Sequence, residues 1–180
     1  MGAVSPAEVL EFWREAGPER WFAKDDAFDA EIIRRFTAAR GEALSGAYDD
    51  WAEEPEGALA LIILLDQFSR NIYRDEPRAF EADEKALRLA RDTIAKGHDR
   101  KLSAEDRVWI YMPFMHAEDL SVQEESVKLF EDLGIENNLA FAIAHRDVIA
   151  RFGRFPHRNA LLGRESSPEE LAYLKEHGGF

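Results

Sequence analysis

The sequence has 180 residues, of which 46% are hydrophobic and 33% charged, and it contains no cysteine. A chain of this length can bury a core of its own, so we expect a single domain over residues 1–180. Acidic residues outnumber basic ones by 36 to 23, and the net charge of −13 works against binding to nucleic-acid phosphates or anionic lipids. The lack of cysteine excludes disulfides and thiolate zinc sites.

Nothing in the sequence indicates a membrane or a secreted protein. The longest apolar run, Ala58 to Leu65, is far shorter than the roughly 20 residues that a membrane-spanning helix needs. Met1 to Pro6 lacks the basic and apolar regions of a secretion signal. A chain without cysteine is also typical of a reducing compartment. We therefore expect a cytoplasmic protein.

Helix-start patterns recur along the chain. In each, a serine is followed three residues later by an acid, so that a hydroxyl and a carboxylate can bond the free amides of a first turn. These serines are Ser5, Ser103, Ser121 and Ser167. Elsewhere apolar residues recur every three or four positions, and no window alternates as a half-buried strand would. The sequence predicts an all-α fold.

The predicted fold contains eight helices with short connections. They cover residues 5–16, 26–48, 55–73, 76–97, 103–119, 121–132, 134–153 and 167–177. Because the connections are short, we expect successive helices to pack as antiparallel hairpins. The third helix is apolar on every side from Leu59 to Leu65, which predicts that other helices surround it.

This central helix passes directly into a dense group of polar side chains. Asp66 and Arg70 lie four residues apart, as do Gln67 and Asn71, so each pair shares one side of the helix. An unpaired charge next to a core is expensive, so these groups need partners from elsewhere in the chain. Asp83 is a candidate, because it lies on the apolar stripe of the next helix.

Histidines occur on two later helices. His145 follows Phe141 by four residues on an apolar stripe, which is typical of a buried histidine bonded to a core neighbour. His116 comes after Pro113, which removes one helical amide and should kink the helix. Glu118 lies only two residues from His116, on the other side of a regular helix, and no motif such as HExxH is present. We therefore expect no metal and no cofactor.

The stretch from His145 to Arg164 is unusually basic for this acidic protein. It holds five arginines, no lysine and a single acid. Arginine suits planar, bidentate contacts with carboxylates or phosphates. Phe155 and Pro156 should form an extended turn that fixes the loop. The candidate binding residues on this loop are Arg154, His157, Arg158 and Asn159. They either bind an anion or tie the loop to acidic helices.

Three segments of the chain, in this order, resemble a known family. They are LDQFSRNIYR at 65–74, PFMHAEDLSVQE at 113–124 and RFGRFPHRNALLGR at 151–164. They resemble the bacterial family labelled domain of unknown function 924, and the likeness runs along essentially the whole chain. The resemblance implies an all-helical, tetratricopeptide-repeat-like fold and no assigned activity. Because no 34-residue repeat period occurs here, we expect only repeat-like helix packing.

Three functional hypotheses fit these residues. The one we favour is a helical module that binds a small anion or a peptide, in a pocket where residues 66–71 meet residues 154–159. Its candidate binding residues are Gln67, Arg70, Asn71, Glu118, Arg154, His157, Arg158 and Asn159. The second is a hydrolase-type enzyme with His116 or His145 as acid–base, oriented by Asp66 or Asp83. The third is a structural or protein-interaction domain, and a homo-oligomer is compatible with all three.

Overall fold

The computed structural model describes residues 4–180, and every regular element in that range is helical. The prediction of an all-α fold is confirmed. The helices are α1 (Pro6–Ala16), α2 (Pro18–Trp21), α3 (Asp26–Ser45), α4 (Pro55–Ile62), α5 (Phe68–Ile72), α6 (Asp83–Ala95), α7 (Ala104–Met115), α8 (Leu120–Leu133), α9 (Glu136–Phe152) and α10 (Pro168–His177). A π-helical turn, Ile63–Gln67, joins α4 to α5. Short 3-10 turns cover Asp49–Glu53, Pro77–Phe80, Asp99–Lys101 and Pro156–Arg158.

Each of the eight predicted segments contains a helix, but several bounds differ. The predicted start at residue 76 is wrong, because Pro77–Phe80 forms a 3-10 turn and α6 begins only at Asp83. Asp75, with a φ of 62°, is in the left-handed region that interrupts a helix. The short helix α2 was not predicted, since its Gly17-Pro18 start reads as a turn.

The helix-start predictions hold at three of the four serines. Ser5 and Ser167 form full capping boxes, and the hydroxyl of Ser103 accepts the Asp106 amide at 3.1 Å. Ser121 is wrong, because the N-cap of α8 is Asp119, whose carboxylate accepts the amides of Ser121 and Val122. A carboxylate caps as well as a hydroxyl and its charge favours the helix N-terminus.

The predicted helix over 103–119 ends at Met115, and a buried side chain binds its last carbonyls. The Nε2 amide of Gln123 donates to the carbonyls of Met115 at 2.7 Å and Ala117 at 2.8 Å. A helix leaves the carbonyls of its last turn unsatisfied, and Ala117 lies just beyond the end of α7. Gln123, fully buried, supplies the missing donor from the first turns of α8.

The chain divides into two compact units. The first comprises the residues up to Arg74 together with Arg78–Pro113. Its centre is the continuous rod of α4, the π turn and α5, which α1, α3 and α6 contact. Residues 58–65 of this rod are at most 1% exposed, which confirms the predicted central helix. Phe12 and Phe36 pack on Phe68 of the rod with ring centroids 5.9 and 4.8 Å apart. Each such buried side chain contributes about 1.5–3 kcal/mol.

The second unit comprises Asp75–Pro77 and Phe114–Phe180. Its longest helices, α8 and α9, pack against each other. A small core of Val148, Ile149 and Phe155 joins α9 to the following loop, and Phe152 and Tyr173 cover it. The single domain and the tetratricopeptide-repeat-like packing expected from the sequence stay predictions.

Among residues 4–180, no helix is both long and apolar enough to cross a membrane. We expected no secretion signal in the segment Met1 to Pro6. The first three residues of that segment lie outside the described residues. The cytoplasmic location stays a prediction.

Gly57 allows α4 to approach the preceding 3-10 turn closely. A Cβ atom built on Gly57 would lie 2.1 Å from the carbonyl oxygen of Trp51. That oxygen belongs to the backbone, so the turn would have to shift as a whole. Only glycine therefore fits at this point of the central rod.

We predict that Gly57→Ala lowers the free energy of unfolding by at least about 1–3 kcal/mol, because it overpacks a rigid contact. The matched control is Gly41→Ala in α3, where a new Cβ meets no atom within 4 Å. This control should stabilise the protein by about 0.5–1 kcal/mol, because alanine is the better helix former. Urea denaturation of both variants tests the prediction, and equal effects would contradict it.

Candidate functional site

The polar residues after the rod form a cluster in the first unit. The π turn keeps Asp66 fully buried, and the Gln67 amide donates to its Oδ2 at 2.6 Å. Arg70 Nη1 donates to Asp66 Oδ1 at 3.2 Å, while Nη1 and Nη2 bind the two carboxylate oxygens of Asp83 at 2.8 and 2.9 Å. The predicted pairing of Asp66 with Arg70, and Asp83 as their partner from the next helix, are therefore both present.

Burial lowers the pKa of Arg70, but the carboxylates of Asp83 and Asp66 outweigh this effect and raise it above its ordinary value. Arg70 is therefore permanently charged, and its donors on both Nη atoms already bind carboxylates. An exogenous anion at Arg70 would have to compete with these two carboxylates for the same donors.

Two further charged groups from α3 belong to the same region, and neither was predicted. Asp29 accepts the Asn71 amide at 2.8 Å and Arg74 Nη2 at 2.9 Å. Burial raises the pKa of Asp29, but these donors lower it below its ordinary value. The signal was in the sequence, since Asp29 lies three residues before Ile32 on the apolar stripe of α3.

Arg40 is the second missed residue. It is 1% exposed, donates from Nε to the Ser69 hydroxyl at 2.9 Å, and lies over the Tyr73 ring at 4.9 Å. Its Nη1 donates to Glu81. Arg40 lies four residues after Phe36, so its place on an apolar stripe could have revealed it.

In the second unit Glu118 joins the late loop to the segment after α7. Arg164 binds its two carboxylate oxygens at 2.8 and 2.9 Å, and the Phe155 amide donates to Oε1 at 2.8 Å. Burial raises the pKa of Glu118, but these donors outweigh it and lower the value. Asn159 accepts from Arg164 Nε at 2.9 Å and donates to Ser166. The side chains of Glu118 and Asn159 thus already form hydrogen bonds with residues of the loop.

Arg154 ties the same loop to α10. It binds both carboxylate oxygens of Glu170, at 2.8 and 2.9 Å, and the Glu165 carbonyl at 2.7 Å. This pairing lowers the pKa of Glu170 to about 2. Arg151 of α9 donates from Nε and Nη2 to a single carboxylate oxygen of the exposed Glu169. The alternative in which arginines tie the loop to acidic helices therefore describes Arg154, and Arg164 ties the loop to Glu118 between α7 and α8.

The remaining site residues of the second unit lie near one another, and three of them contact the Phe155 ring. We call His116, His145, His157 and Arg158 the imidazole cluster. Arg158 Cζ lies 4.7 Å from the Phe155 ring centroid, and its Nη2 donates to the His116 carbonyl at 3.0 Å. The rings of His145 and His157 lie 5.6 and 5.7 Å from the same ring. His116 and His157 are partly exposed, whereas His145 is buried.

His145 is neutral and has a fixed tautomer. Its Nδ1 lies 2.7 Å from the Phe141 carbonyl, so Nδ1 carries the proton and Nε2 the lone pair. Burial lowers its pKa, although the Phe141 carbonyl opposes this effect, and smaller contributions from His116, His157 and Arg158 bring the pKa down to about 3. His116, His157 and Arg158 are therefore near enough to influence the His145 ring.

The structure brings the predicted residues together in two groups. Residues 66–71 with Asp83 lie in the first unit, and residues 116–118, 145 and 154–159 lie in the second. The predicted meeting of residues 66–71 with residues 154–159 stays a prediction. In the part of the chain that the structure describes, no group of three or more histidines and acids is arranged to hold a metal ion.

A shallow surface depression of about 430 Å³ lies elsewhere, on the first unit. It is lined by Ala7, Leu10, Glu11, Arg14, Glu15 and Glu56. Arg14, the cation among them, binds Asp106 at 2.7 Å and lies 3.6 Å from Glu56. The depression is therefore acidic, and it contains none of the predicted binding residues.

Helices throughout the described chain and ion-paired arginines in both units define an all-helical protein. The chain belongs to the family described as bacterial protein of unknown function, DUF924, whose model matches residues 9–178. The resemblance seen in the three sequence segments is confirmed.

A solved structure supports the same assignment. The chain is similar to a protein of unknown function from Agrobacterium tumefaciens, with 44% sequence identity and a TM-score of 0.92. The match covers 95% of this chain and 97% of that one, so the two share the fold along their length. No curated protein matches the chain significantly.

We predict that Asp83→Asn lowers the free energy of unfolding by about 1–3 kcal/mol, because an amide cannot accept both donors of the half-buried Arg70. The control is Glu84→Gln, which removes the same charge from the same helical turn, where Glu84 is exposed and pairs only with Arg88. The control should cost about 0–0.5 kcal/mol. Equal losses in urea denaturation would contradict a structural role for the Arg70 pair.

We predict that His145 makes the protein less stable as the pH falls. The unfolded imidazole takes up a proton near pH 6.5, whereas the folded one does so only near pH 3, so stability is lost as the pH falls through that window. Between pH 7.5 and pH 5.0 the loss from this residue is about 2 kcal/mol.

Urea denaturation at the two pH values measures this loss. His145→Gln should reduce it by about 2 kcal/mol, whereas His177→Gln, at an exposed position of α10, should leave it unchanged. An unchanged loss in His145→Gln would show that His145 is protonated normally in the folded state.

Proposed function

We propose that this protein is a small-molecule binding module and that its ligand is an anion held at the imidazole cluster. The observation that carries the proposal is the convergence of the His145 and His157 imidazoles and the Arg158 guanidinium on the Phe155 ring, with His116 near enough to His145 to lower its pKa. The sequence contains only five histidines, and three of them belong to this cluster. The Arg158 guanidinium carries a positive charge in a protein of net charge −13, and the imidazoles of His116 and His157 can donate N–H hydrogen bonds to an anion beside it.

One carboxylate, that of Glu118, lies near the cluster. Arg158 is close enough to lower the pKa of this carboxyl, and Arg164 and the Phe155 amide also bind it. Arg158 itself donates to a backbone carbonyl and lies over an aromatic face. A ligand anion would add a charge-assisted bond to Arg158, worth about 1.5–3 kcal/mol.

The binding module is a better fit than the hydrolase alternative. His145 is oriented by the Phe141 carbonyl rather than by a carboxylate, and its low pKa makes it a poor base near neutral pH. Asp66 and Asp83, the proposed orienting acids, both bind Arg70 in the first unit. The roles supported by these contacts are therefore hydrogen bonding and charge, not proton transfer.

Titration with inorganic phosphate and acetate tests the proposal. We expect saturable shifts of the imidazole proton resonances of His116, His145 and His157 in NMR spectra, and none at His98 or His177. Arg158→Gln should weaken binding about 10- to 100-fold, the cost of one charge-assisted hydrogen bond. Arg146→Gln, which removes an arginine paired with the exposed Asp147, should change it less than twofold.

Because Arg158 is buried, a milder variant accompanies it. His157→Gln removes one partly exposed imidazole and should fold normally while weakening binding. The proposal fails if neither anion shifts the three histidines of the cluster, or if the shifts persist unchanged in both Arg158→Gln and His157→Gln.

A further inference from the structure

An aromatic ring from the chain itself already occupies a place in the imidazole cluster. Phe180 stacks on His145 with ring centroids 3.6 Å apart and planes inclined by 19°. Phe155 and His157 meet the same ring edge-on, at 6.1 Å and 84° and at 6.0 Å and 78°. We call the rings of His145, Phe155 and His157 the ring box. His145, which stacks on Phe180, is its floor, and Phe155 and His157, which meet Phe180 edge-on, are its walls.

The segment before Phe180 is shaped to place the ring there. Helix α10 ends at His177, and two glycines follow. A Cβ atom at Gly179 would lie 2.8 Å from His157 Cβ, so the backbone passes directly against one wall of the box. A larger residue at 179 could not lie so close, and the ring would not reach His145.

The contact is only partly buried. Phe180 remains 52% exposed although it covers His145, which is itself 7% exposed. The free energy of one such aromatic pair corresponds to about a 2- to 10-fold change in an equilibrium constant. Another planar ring can therefore displace it at little cost.

From this geometry we infer that the cluster takes a planar aromatic carboxylate, whose ring lies on His145 in the place of Phe180 and whose anionic group faces Arg158. The inference rests on the proposed function and adds the class of ligand to it. The ring box selects a flat ring. Stacking on the His145 floor needs parallel planes, and the contacts with Phe155 and His157 need the positive edge of one ring to meet the face of the other. In the absence of the ligand, Phe180 covers the floor.

The test compares benzoate with cyclohexanecarboxylate, which carry the same charge on a planar and a puckered ring of equal carbon number. Titrations followed at the imidazole proton resonances should show benzoate binding at least about fivefold more tightly. Phe180→Ala should tighten benzoate binding about 2- to 10-fold, because it removes the competing ring. Phe22→Ala removes another exposed phenylalanine ring, from the first unit; it is the control and should have no effect.

The unliganded protein provides an independent readout. The stacked Phe180 ring shields the His145 proton that faces it, so this resonance should move downfield in Phe180→Ala and stay in place in Phe22→Ala. An unmoved resonance would show that the ring does not lie on His145, and the inference would fall.

The two proposals fail differently. If acetate and phosphate bind but benzoate shows no advantage over cyclohexanecarboxylate, or Phe180→Ala leaves benzoate affinity unchanged, the aromatic ligand is wrong and the anion site stands. If none of these anions shifts His116, His145 or His157 in either the parent protein or Phe180→Ala, both are overturned.

Discussion

The pairing of guanidinium groups with carboxylates at half-buried positions is the constraint on which this structure depends. An ion taken out of water costs several kcal/mol, and only a partner with good geometry offsets that cost. Arg70 meets this condition with Asp83, and Arg164 with Glu118, each through two hydrogen bonds from a planar fork. The first pair joins two consecutive helices and the second joins segments 46 residues apart, so both fix packing inside their units.

The same constraint separates two uses of arginine within one loop. Arg154 donates hydrogen bonds to Glu170 and Arg164 donates to Glu118, so these two arginines hold the loop in place. The rigid loop then presents His157 and Arg158 beside the Phe155 ring. In the site that we propose, these ion pairs position the groups of the loop in advance.

The three segments by which the chain resembles its family are also the segments that carry the buried polar groups. LDQFSRNIYR supplies the Asp66 and Arg70 pair, and RFGRFPHRNALLGR supplies the loop. PFMHAEDLSVQE supplies Glu118 and both capping groups of the turn between α7 and α8, Asp119 and Gln123. Much of what makes the sequence recognisable is therefore the chemistry that buried polar atoms require.

The sequence by itself determined the helices, the Ser5 and Ser167 caps and the central rod. It could do so because apolar periodicity and capping depend on residues only three or four positions apart. It also pointed to Asp83 as the partner of Arg70, since a carboxylate on an apolar stripe needs a cation. Only the tertiary structure decided that Arg154 and Arg164 bind acids of their own unit, and that Phe180 lies on His145. Such contacts depend on distances between segments remote in the chain, and spacing along a sequence does not contain those distances.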